Sequence, residues 1–296
     1  MTIETVFSLV VVIFTVANLA AMGLELDLRE AIKALRNVRF VALVFVWSWV
    51  VGPALALLIT KVLPLSEPYA MGLLLISPAA CAPFYPLVVR QAKGDVAFAA
   101  ALLLLTAVGT VVMMPLLLPF MIKGLSVSAW AIAKPLLTLV LTPLVIGIAI
   151  RIYAAKTADK LYPVAKKIGG LFTILILVFV LALYGKKMVD SMGSFAIGAQ
   201  LLFLAVMALM SYLIGFGLKQ EQRSIIALGM GTRNIAAAFA ALTAISNPDP
   251  RMVVMVLLAV PLSGVVAFPA ARMFARRASQ PASGKSPPEV PLTQNP

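Results

Sequence analysis

The chain has 296 residues, of which 62% are hydrophobic, and its mean hydropathy is +1.05. Soluble domains are nearer half apolar, so the composition predicts an all-α polytopic membrane protein with essentially no soluble domain. The net charge of +13 does not indicate a nucleic-acid partner, because the basic residues lie between apolar runs, where membrane topology explains them. The chain has no histidine, and its single cysteine, Cys81, excludes an intrachain disulfide.

Apolar runs of about 20 residues, the length that crosses a bilayer, recur along the chain. The first run has no Lys or Arg before it, so we interpret it as a retained span rather than a signal peptide. We expect residues 1–277 to form one transmembrane transporter domain, and residues 278–296, rich in Pro and Ser, to form a disordered cytoplasmic tail. Nine transmembrane helices are predicted, at roughly 5–25, 40–60, 69–89, 96–122, 128–150, 168–185, 194–218, 224–246 and 252–274.

The basic residues predict the orientation of these spans. Of the 24 Lys and Arg residues, seventeen lie in the first, third, fifth and seventh connections and the tail, whereas five lie in the other connections. Connections on the cytoplasmic side of a membrane protein are the basic ones. We therefore expect the protein in the inner (plasma) membrane, with its N-terminus outside and its C-terminus in the cytoplasm.

Two predicted spans are interrupted near their middle, at residues 77–86 in span three and 229–234 in span eight. Proline lacks an N–H and clashes with the preceding turn, and clustered glycine weakens a helix. Opened backbone at membrane depth is tolerated only where protein or a watery cavity satisfies it, and paired interruptions point to a transporter's binding site. The two spans cross in opposite directions, which favours an inverted repeat. The predicted helix-breaking residues are Pro78, Pro83, Pro86, Gly229 and Gly231.

Charged residues narrow the class of function. None of the eleven acidic residues lies in the middle of a span, which argues against a proton relay and against a metal-assisted enzyme. No glycine-rich phosphate loop is present, which argues against ATP-driven pumping. Arg233 differs from these acidic residues, because it lies near mid-membrane in span eight. It is predicted to meet an anion together with Thr232 and Asn234, or else to satisfy carbonyl groups that the break in span three frees.

Other polar residues at membrane depth are weaker candidates for an anion-binding cavity. Ser77, Cys81 and Tyr85 are spaced i, i+4, i+8, so on a helix they would share a face; helix packing explains them equally well. Asn18 in span one either lines the cavity or makes an interhelical hydrogen bond. Thr106 and Thr110 are expected to bond carbonyl groups of their own helix.

Several motifs in order resemble the bile acid:sodium symporter family. They are Gly23-Leu24-Glu25-Leu26, Ser77-Pro78, Gly94-Asp95-Val96-Ala97, Pro143-Leu144-Val145-Ile146-Gly147, Tyr212-Leu213-Ile214-Gly215-Phe216, and Gly229-Met230 followed by Ala236-Ala237-Ala238. The resemblance implies a panel domain and a core domain, with two discontinuous helices (spans 3 and 8) crossing in the core. It also implies uptake of organic anions driven by sodium.

The chain departs from this family at the sodium ligands. Ala227 stands where sodium-coupled members carry a Glu, and Pro83-Phe84 stands where they carry a polar pair. The segment Thr232-Arg233-Asn234 replaces a run of Gln, Asn and Ser. We therefore expect that a sodium ion, the family's coupling ion, lacks its usual ligands here, and that Arg233 supplies a permanent positive charge instead.

These patterns predict a secondary active transporter of small organic anions that works by alternating access. Sodium coupling, as in the family, is left open because the usual sodium ligands are missing. Two alternatives remain open: a sodium-independent carrier or exchanger that uses Arg233 as a fixed cation, and a non-transporting membrane anion sensor or partner-binding module. We expect no cofactor, no resident metal and no nucleic-acid partner; the expected partners are a small organic anion and the lipid bilayer.

Overall fold

A computed structural model describes residues 3–122, 127–190 and 193–278. The described residues form helices and, apart from one isolated bridge, no β-structure. The helices are α1 (Ile3–Glu25), α2 (Leu28–Leu35), α3 (Val38–Val46), α4 (Gly52–Val62), α5 (Glu67–Ile76), α6 (Tyr85–Gln91), α7 (Val96–Met121), α8 (Ala129–Pro135), α9 (Thr142–Tyr153), α10 (Ala155–Asp190), α11 (Ala196–Leu213), α12 (Gln220–Met230), α13 (Ile235–Leu242) and α14 (Pro250–Ala278).

Two π-helical segments, Trp47–Val51 and Leu136–Leu141, join α3 to α4 and α8 to α9 as continuous rods. A proline follows each of them, Pro53 and Pro143. Proline has no N–H to donate to the preceding turn, so a regular α-helix would also lack that hydrogen bond. A wider π-helical turn before the proline therefore loses nothing.

Within the described residues, six helical stretches are long and apolar enough to cross a membrane, which confirms a polytopic helical membrane protein. The other three predicted spans fall on the pair α5 and α6, on the pair α12 and α13, and inside α10. The count of nine stays a prediction. The predicted tail, apart from Ala278 at the end of α14, lies outside the described residues. The six stretches are Thr5–Glu25, Val38–Val62, Val96–Met121, Ala129–Tyr153, Ala196–Leu213 and Pro250–Ala278.

Short polar side chains cap the N-termini of α2 and α7. Asp27 Oδ1 accepts hydrogen bonds from the N–H groups of Arg29 and Glu30 at the start of α2. Asp95 accepts from Ala97 N–H at 2.8 Å and starts α7 in the same way. These caps satisfy N–H groups that have no partner within the helix. The short amphipathic α2 buries Ala31 and Ala34 and packs along α7.

The helices form two groups by packing. In the first group α1 packs along both α9 and α10. In the second group α11 packs on α12 and α14, and α14 also packs on α5. The broken pairs α5/α6 and α12/α13 therefore belong to the second group, beside a three-helix unit made of α1, α9 and α10.

Glycines let α1 and α9 approach closely. A Cβ atom on Gly147 would lie 2.6 Å from the Ala20 carbonyl oxygen and 2.9 Å from the Gly23 Cα. Both are backbone atoms, so a side chain at Gly147 could be accommodated only if the two helices moved apart.

We therefore expect Gly147→Ala to lower the stability of the protein by about 1–3 kcal/mol through overpacking. The measurement is the thermal unfolding midpoint of purified protein in detergent. Gly170→Ala on α10 is the matched control, because a Cβ there meets nothing within 4 Å. Equal midpoints for the two variants would show that the contact between α1 and α9 is not tight.

Candidate functional site: the crossing of two opened helices

The chain leaves α-helical structure at two places that meet inside the helical bundle. The first lies between α5, which ends at Ile76, and α6, which begins at Tyr85; the second lies between α12 and α13. Ala80 and Arg233 form an antiparallel bridge between them. Asn234 N–H donates to the Ala79 carbonyl at 2.8 Å, and Cys81 N–H donates to the Thr232 carbonyl at 3.2 Å. The two segments thus run in opposite directions where they cross.

Two further backbone groups of the first opening find side-chain partners, one in a neighbouring helix and one in the second opening. Trp49, in the π-helical segment, donates its indole Nε1–H to the Pro78 carbonyl at 3.1 Å. Ala82 N–H donates to the Thr232 hydroxyl oxygen at 3.1 Å. Cys81 takes a positive φ of 68°, a conformation that non-glycine residues rarely adopt. The opened backbone is therefore held by protein groups, as it must be away from water.

Thr232 and Asn234 hold the second opening. The Thr232 hydroxyl lies 3.1 Å from the Leu228 carbonyl, to which it donates at the end of α12, while its oxygen accepts from Ala82. The Asn234 side-chain oxygen accepts from Ala237 N–H at 3.0 Å and caps the start of α13. Both residues thus combine a structural role with their position at the crossing.

Arg233 is fully buried, with 0% of its surface exposed. Its Nη1 donates to the Thr232 carbonyl at 3.1 Å, and its Cζ lies 4.7 Å from the centre of the Phe203 ring on α11. Its Nε and Nη2 atoms have no hydrogen-bond partner among the described residues. The guanidinium therefore keeps donors free at the crossing, and it faces α11 in this conformation.

The predicted helix-breaking residues fall at different points of the two openings. Pro78 offers its carbonyl to Trp49, and Pro86 lies in the first turn of α6. Gly231 caps the end of α12, where a Cβ would lie 2.9 Å from the Ala208 side chain. Gly229 is still inside α12, packed against Leu102.

Three of the other predicted lining residues bond to backbone groups. The Ser77 hydroxyl donates to the Leu74 carbonyl at 2.8 Å, and the Tyr85 hydroxyl donates to the Ile225 carbonyl at 3.0 Å. Asn18 donates to the Gly169 carbonyl on α10 at 3.4 Å. Of the two roles expected for Asn18, this is the interhelical hydrogen bond and not cavity lining. Because the helix stops at Ile76, the spacing of Ser77, Cys81 and Tyr85 does not place them on one helical face.

A cleft of about 230 Å³ approaches the crossing between α1, α2, α6 and α7. Its interior is apolar, and its charged lining residues are Glu25, Asp27, Glu30 and Arg90. A separate narrow space, too small to hold a water molecule, shares the lining residues Met22 and Leu103 with the cleft. This space reaches Cys81, Pro83, Thr106 and Asn234. Cys81 and Asn234 are thus the two predicted site residues that the structure brings together on the side of the cleft.

Glu25 and Arg90 form an ion pair at the cleft. Glu25 ends α1, which belongs to the three-helix unit, whereas Arg90 lies on α6, the second half of a broken helix. The pair therefore ties the three-helix unit to the crossing on the side where the cleft opens.

Sequence reasoning missed Trp49, Phe203 and Gln200. Trp49 lies in mid-span, and its indole N–H needs an acceptor when buried, which was the available signal. Phe203 gave no signal, since nothing local shows that an aromatic ring will lie against an arginine. Gln200, three residues before it on α11, is fully buried, and neither of its side-chain polar atoms has a partner among the described residues.

The described residues contain no group of three or more His, Cys, Asp or Glu that could hold a metal ion. An uncharged oxygen, the hydroxyl of Thr106, lines the narrow space together with Cys81 and Asn234. Thr106 donates to the Leu102 carbonyl at 2.7 Å, as expected, whereas the buried Thr110 hydroxyl has no partner in the described part of the chain.

We expect Thr232→Val to destabilise the crossing by about 1–3 kcal/mol, because it leaves the buried Ala82 N–H without an acceptor. Thr232→Ser keeps the hydroxyl and is the matched control. The measurement is the thermal unfolding midpoint in detergent. Equal unfolding of the Val and Ser variants would mean that the hydroxyl does not hold the two openings together.

Comparison with known proteins gives relatives for this chain. It is 27% identical over 214 residues to a probable sodium/metabolite cotransporter, chloroplastic BASS2 of Oryza sativa subsp. japonica, an alignment that covers 71% of this chain and 51% of the relative. It is 25% identical over 227 residues to the probable sodium/metabolite cotransporter BASS3, chloroplastic, of Arabidopsis thaliana, covering 74% of this chain and 53% of the relative. The chain spans about half the length of these curated relatives.

The family model that matches describes the sodium bile acid symporter family and covers residues 10–191. This match includes the first opened segment and more than half of the chain. On this evidence, together with a helical membrane fold, the chain belongs to the sodium bile acid symporter family, a family of membrane transporters rather than enzymes.

Proposed function

We propose that this chain is a secondary transporter of small organic anions that works by alternating access around the crossing. The observation that carries the proposal is Arg233: a fully buried guanidinium with two unpartnered nitrogen atoms, at the point where two membrane-embedded helices open.

The energetic argument for an anion rests on the cost of burying this charge. A charged side chain at mid-membrane costs about 2.5–3.5 kcal/mol on insertion scales, and such residues mark substrate or ion pathways by default. In the described chain no carboxylate pairs with Arg233, and the contacts to Thr232 and Phe203 offset only part of the cost. An anionic substrate would supply the missing negative charge.

The bridge gives Arg233 and its neighbour Asn234 different surroundings. Asn234 lines the narrow space that shares Met22 and Leu103 with the cleft, whereas Arg233 contacts Phe203 on α11. We infer that Arg233 attracts the anion across the bridge through its field, while Asn234 and the start of α13 contact it. Two unit charges ~8 Å apart in an effective dielectric of about 20 attract by ~2 kcal/mol, so direct contact is not required. A direct ion pair between Arg233 and the substrate remains a prediction for another conformation.

The cleft limits the size of the substrate. Its volume of about 230 Å³ is below the range of roughly 300–1,000 Å³ that is typical of pockets for drug-sized ligands. Its apolar walls suit a substrate with an apolar body. Its charged lining is three carboxylates and Arg90, so the positive charge for an anion comes from Arg233 and not from the cleft. The small volume and the names of the relatives, sodium/metabolite cotransporters, both favour a metabolite.

The alternating-access motion is proposed to move α1, α9 and α10 against the helices of the crossing, as panel and core. The packing groups and the antiparallel bridge support this division, and the pair Glu25–Arg90 joins the two parts on the side where the cleft opens. With this motion we propose nine spans in an inverted repeat, in the plasma membrane, with the N-terminus outside and the C-terminus in the cytoplasm.

Coupling to sodium is the point on which two versions of this function differ. The relatives are named sodium/metabolite cotransporters, which favours a sodium-coupled transporter. The buried positive charge of Arg233, and the absence of any buried carboxylate among the described residues, favour a sodium-independent carrier or exchanger instead. We propose the second version, because a cation already present at the crossing would repel a sodium ion bound beside it.

We expect Arg233→Gln to lower anion transport roughly 10- to 100-fold, the range for losing a charge-assisted interaction, and Arg233→Lys to retain part of it. The measurement is uptake and counterflow of labelled short-chain carboxylates and sulfonates in proteoliposomes. Arg251→Gln, at an exposed arginine paired with Asp249, is the matched control.

Gel filtration and thermal unfolding would check that each variant is folded. Transport by Arg233→Gln at the level of Arg251→Gln would assign Arg233 to the structure alone. Anion binding without counterflow would favour the membrane anion sensor.

We expect the same uptake to change less than twofold when external sodium is replaced by potassium or choline at equal ionic strength, because Arg233 supplies the positive charge. A control with a sodium ionophore separates coupling from effects on membrane potential. Uptake that rises steeply with sodium would establish the sodium-coupled version.

A further inference from the structure

A cluster of arginines surrounds the turn between α11 and α12, residues 214–219, outside the site described above. Arg223 from α12 and Arg277 from α14 both lie against Tyr212, with their Cζ atoms 5.0 Å and 5.5 Å from the centre of its ring. Arg39 from α3 also reaches the turn, where its Nη1 would lie 3.5 Å from a Cβ on Gly217. We call these three arginines and the turn the basic turn.

The aromatic and backbone contacts fix the position of the charges. Tyr212 is 8% exposed and stacks on Phe274 of α14, with 4.8 Å between ring centres. Its hydroxyl accepts from Arg277 Nη1 at 2.8 Å. Arg223 donates to the carbonyl oxygens of Tyr212 and Leu213, at 2.7 Å and 3.1 Å, and so completes the end of α11. Two guanidinium groups are therefore held against one tyrosine.

These charges are not neutralised by the protein. Within the described residues, none of the three arginines forms an ion pair, whereas Arg90, Arg151 and Arg251 each pair with a carboxylate. Glu221, two residues before Arg223, makes no ion pair there either. Positive charges held side by side repel each other, so an anion bound between them would be stabilised.

Apolar side chains are exposed at the same place. Leu213 is 53% exposed and Phe216 is 73% exposed, in the segment that the arginines surround. A free phosphate ion would need the charges alone, but a phospholipid needs a cationic site for its headgroup beside an apolar surface for its acyl chains. The basic turn also belongs to the more basic side of the protein, where anionic lipids are enriched.

We propose that the basic turn binds the headgroup of an anionic phospholipid. The phosphate lies against Arg277 and Arg39, beside the charge of Arg223, and an acyl chain lies along Leu213 and Phe216. The bound lipid links α3, α11, α12 and α14, because each of these helices contributes a contact. This site is independent of the transported anion and of sodium coupling.

The test is native mass spectrometry of the full chain in detergent, titrated with phosphatidylglycerol or with phosphatidylcholine. We expect phosphatidylglycerol to bind more tightly, and Arg277→Gln to weaken it about fivefold, as for the loss of one arginine at an anionic membrane surface. Arg39→Gln is a second variant with the same expected direction, away from the Tyr212 contacts. Arg223 is left unchanged because it also completes α11.

Arg272→Gln is the matched control, since Arg272 is exposed on the same helix, about 140° around it from Arg277. An equal loss in Arg272→Gln would mean a diffuse basic surface and would overturn the proposal. So would equal binding of the two lipids by the wild-type protein. A third arm adds inorganic phosphate: displacement of phosphatidylglycerol at equimolar phosphate would assign the site to free phosphate and not to a lipid.

Discussion

Backbone hydrogen bonding at the crossing of the two opened segments is the constraint on which the rest of the structure depends. An unsatisfied backbone group in hydrocarbon costs several kcal/mol, so neither opening could be stable alone in the membrane. Each supplies partners to the other: the Ala79 carbonyl accepts from Asn234, and the Thr232 carbonyl accepts from Cys81. The two broken helices must therefore meet, and the helices around them must leave room for that contact.

The same constraint determines what the site can do. Successive residues of an extended segment point to opposite sides, so a two-residue bridge gives neighbouring side chains different surroundings. Asn234 lines a narrow space next to the cleft, while Arg233 lies against Phe203 on α11. The guanidinium is thereby buried among protein groups. In the proposed function this arrangement would favour a passing anion without binding it so tightly that it could not leave.

The fold and the site could be predicted from the sequence to different extents. Two helix interruptions were predictable because proline and glycine act on the backbone locally, and the depth of Arg233 followed from counting residues along an apolar run. The residues that contact each buried polar side chain were not predictable. Asn18 could have faced a cavity or another helix, and only packing of α1 on α10 places the Gly169 carbonyl beside it. The shared face expected for Ser77, Cys81 and Tyr85 presumes a continuous helix, and the chain leaves the helix at the first of them.

By itself the sequence determined the membrane environment and the family, and it placed Arg233 within an apolar run, because hydropathy, motif order and the length of apolar runs are properties of the chain read in order. The tertiary structure alone decided which groups share a partner: that Trp49 supplies the donor for Pro78, that Phe203 lies against the guanidinium, and that Glu25 pairs with Arg90. The physical reason is that these contacts join residues from 29 to 65 positions apart along the chain. Such pairs form only when packing and backbone hydrogen bonding have fixed the helices against one another.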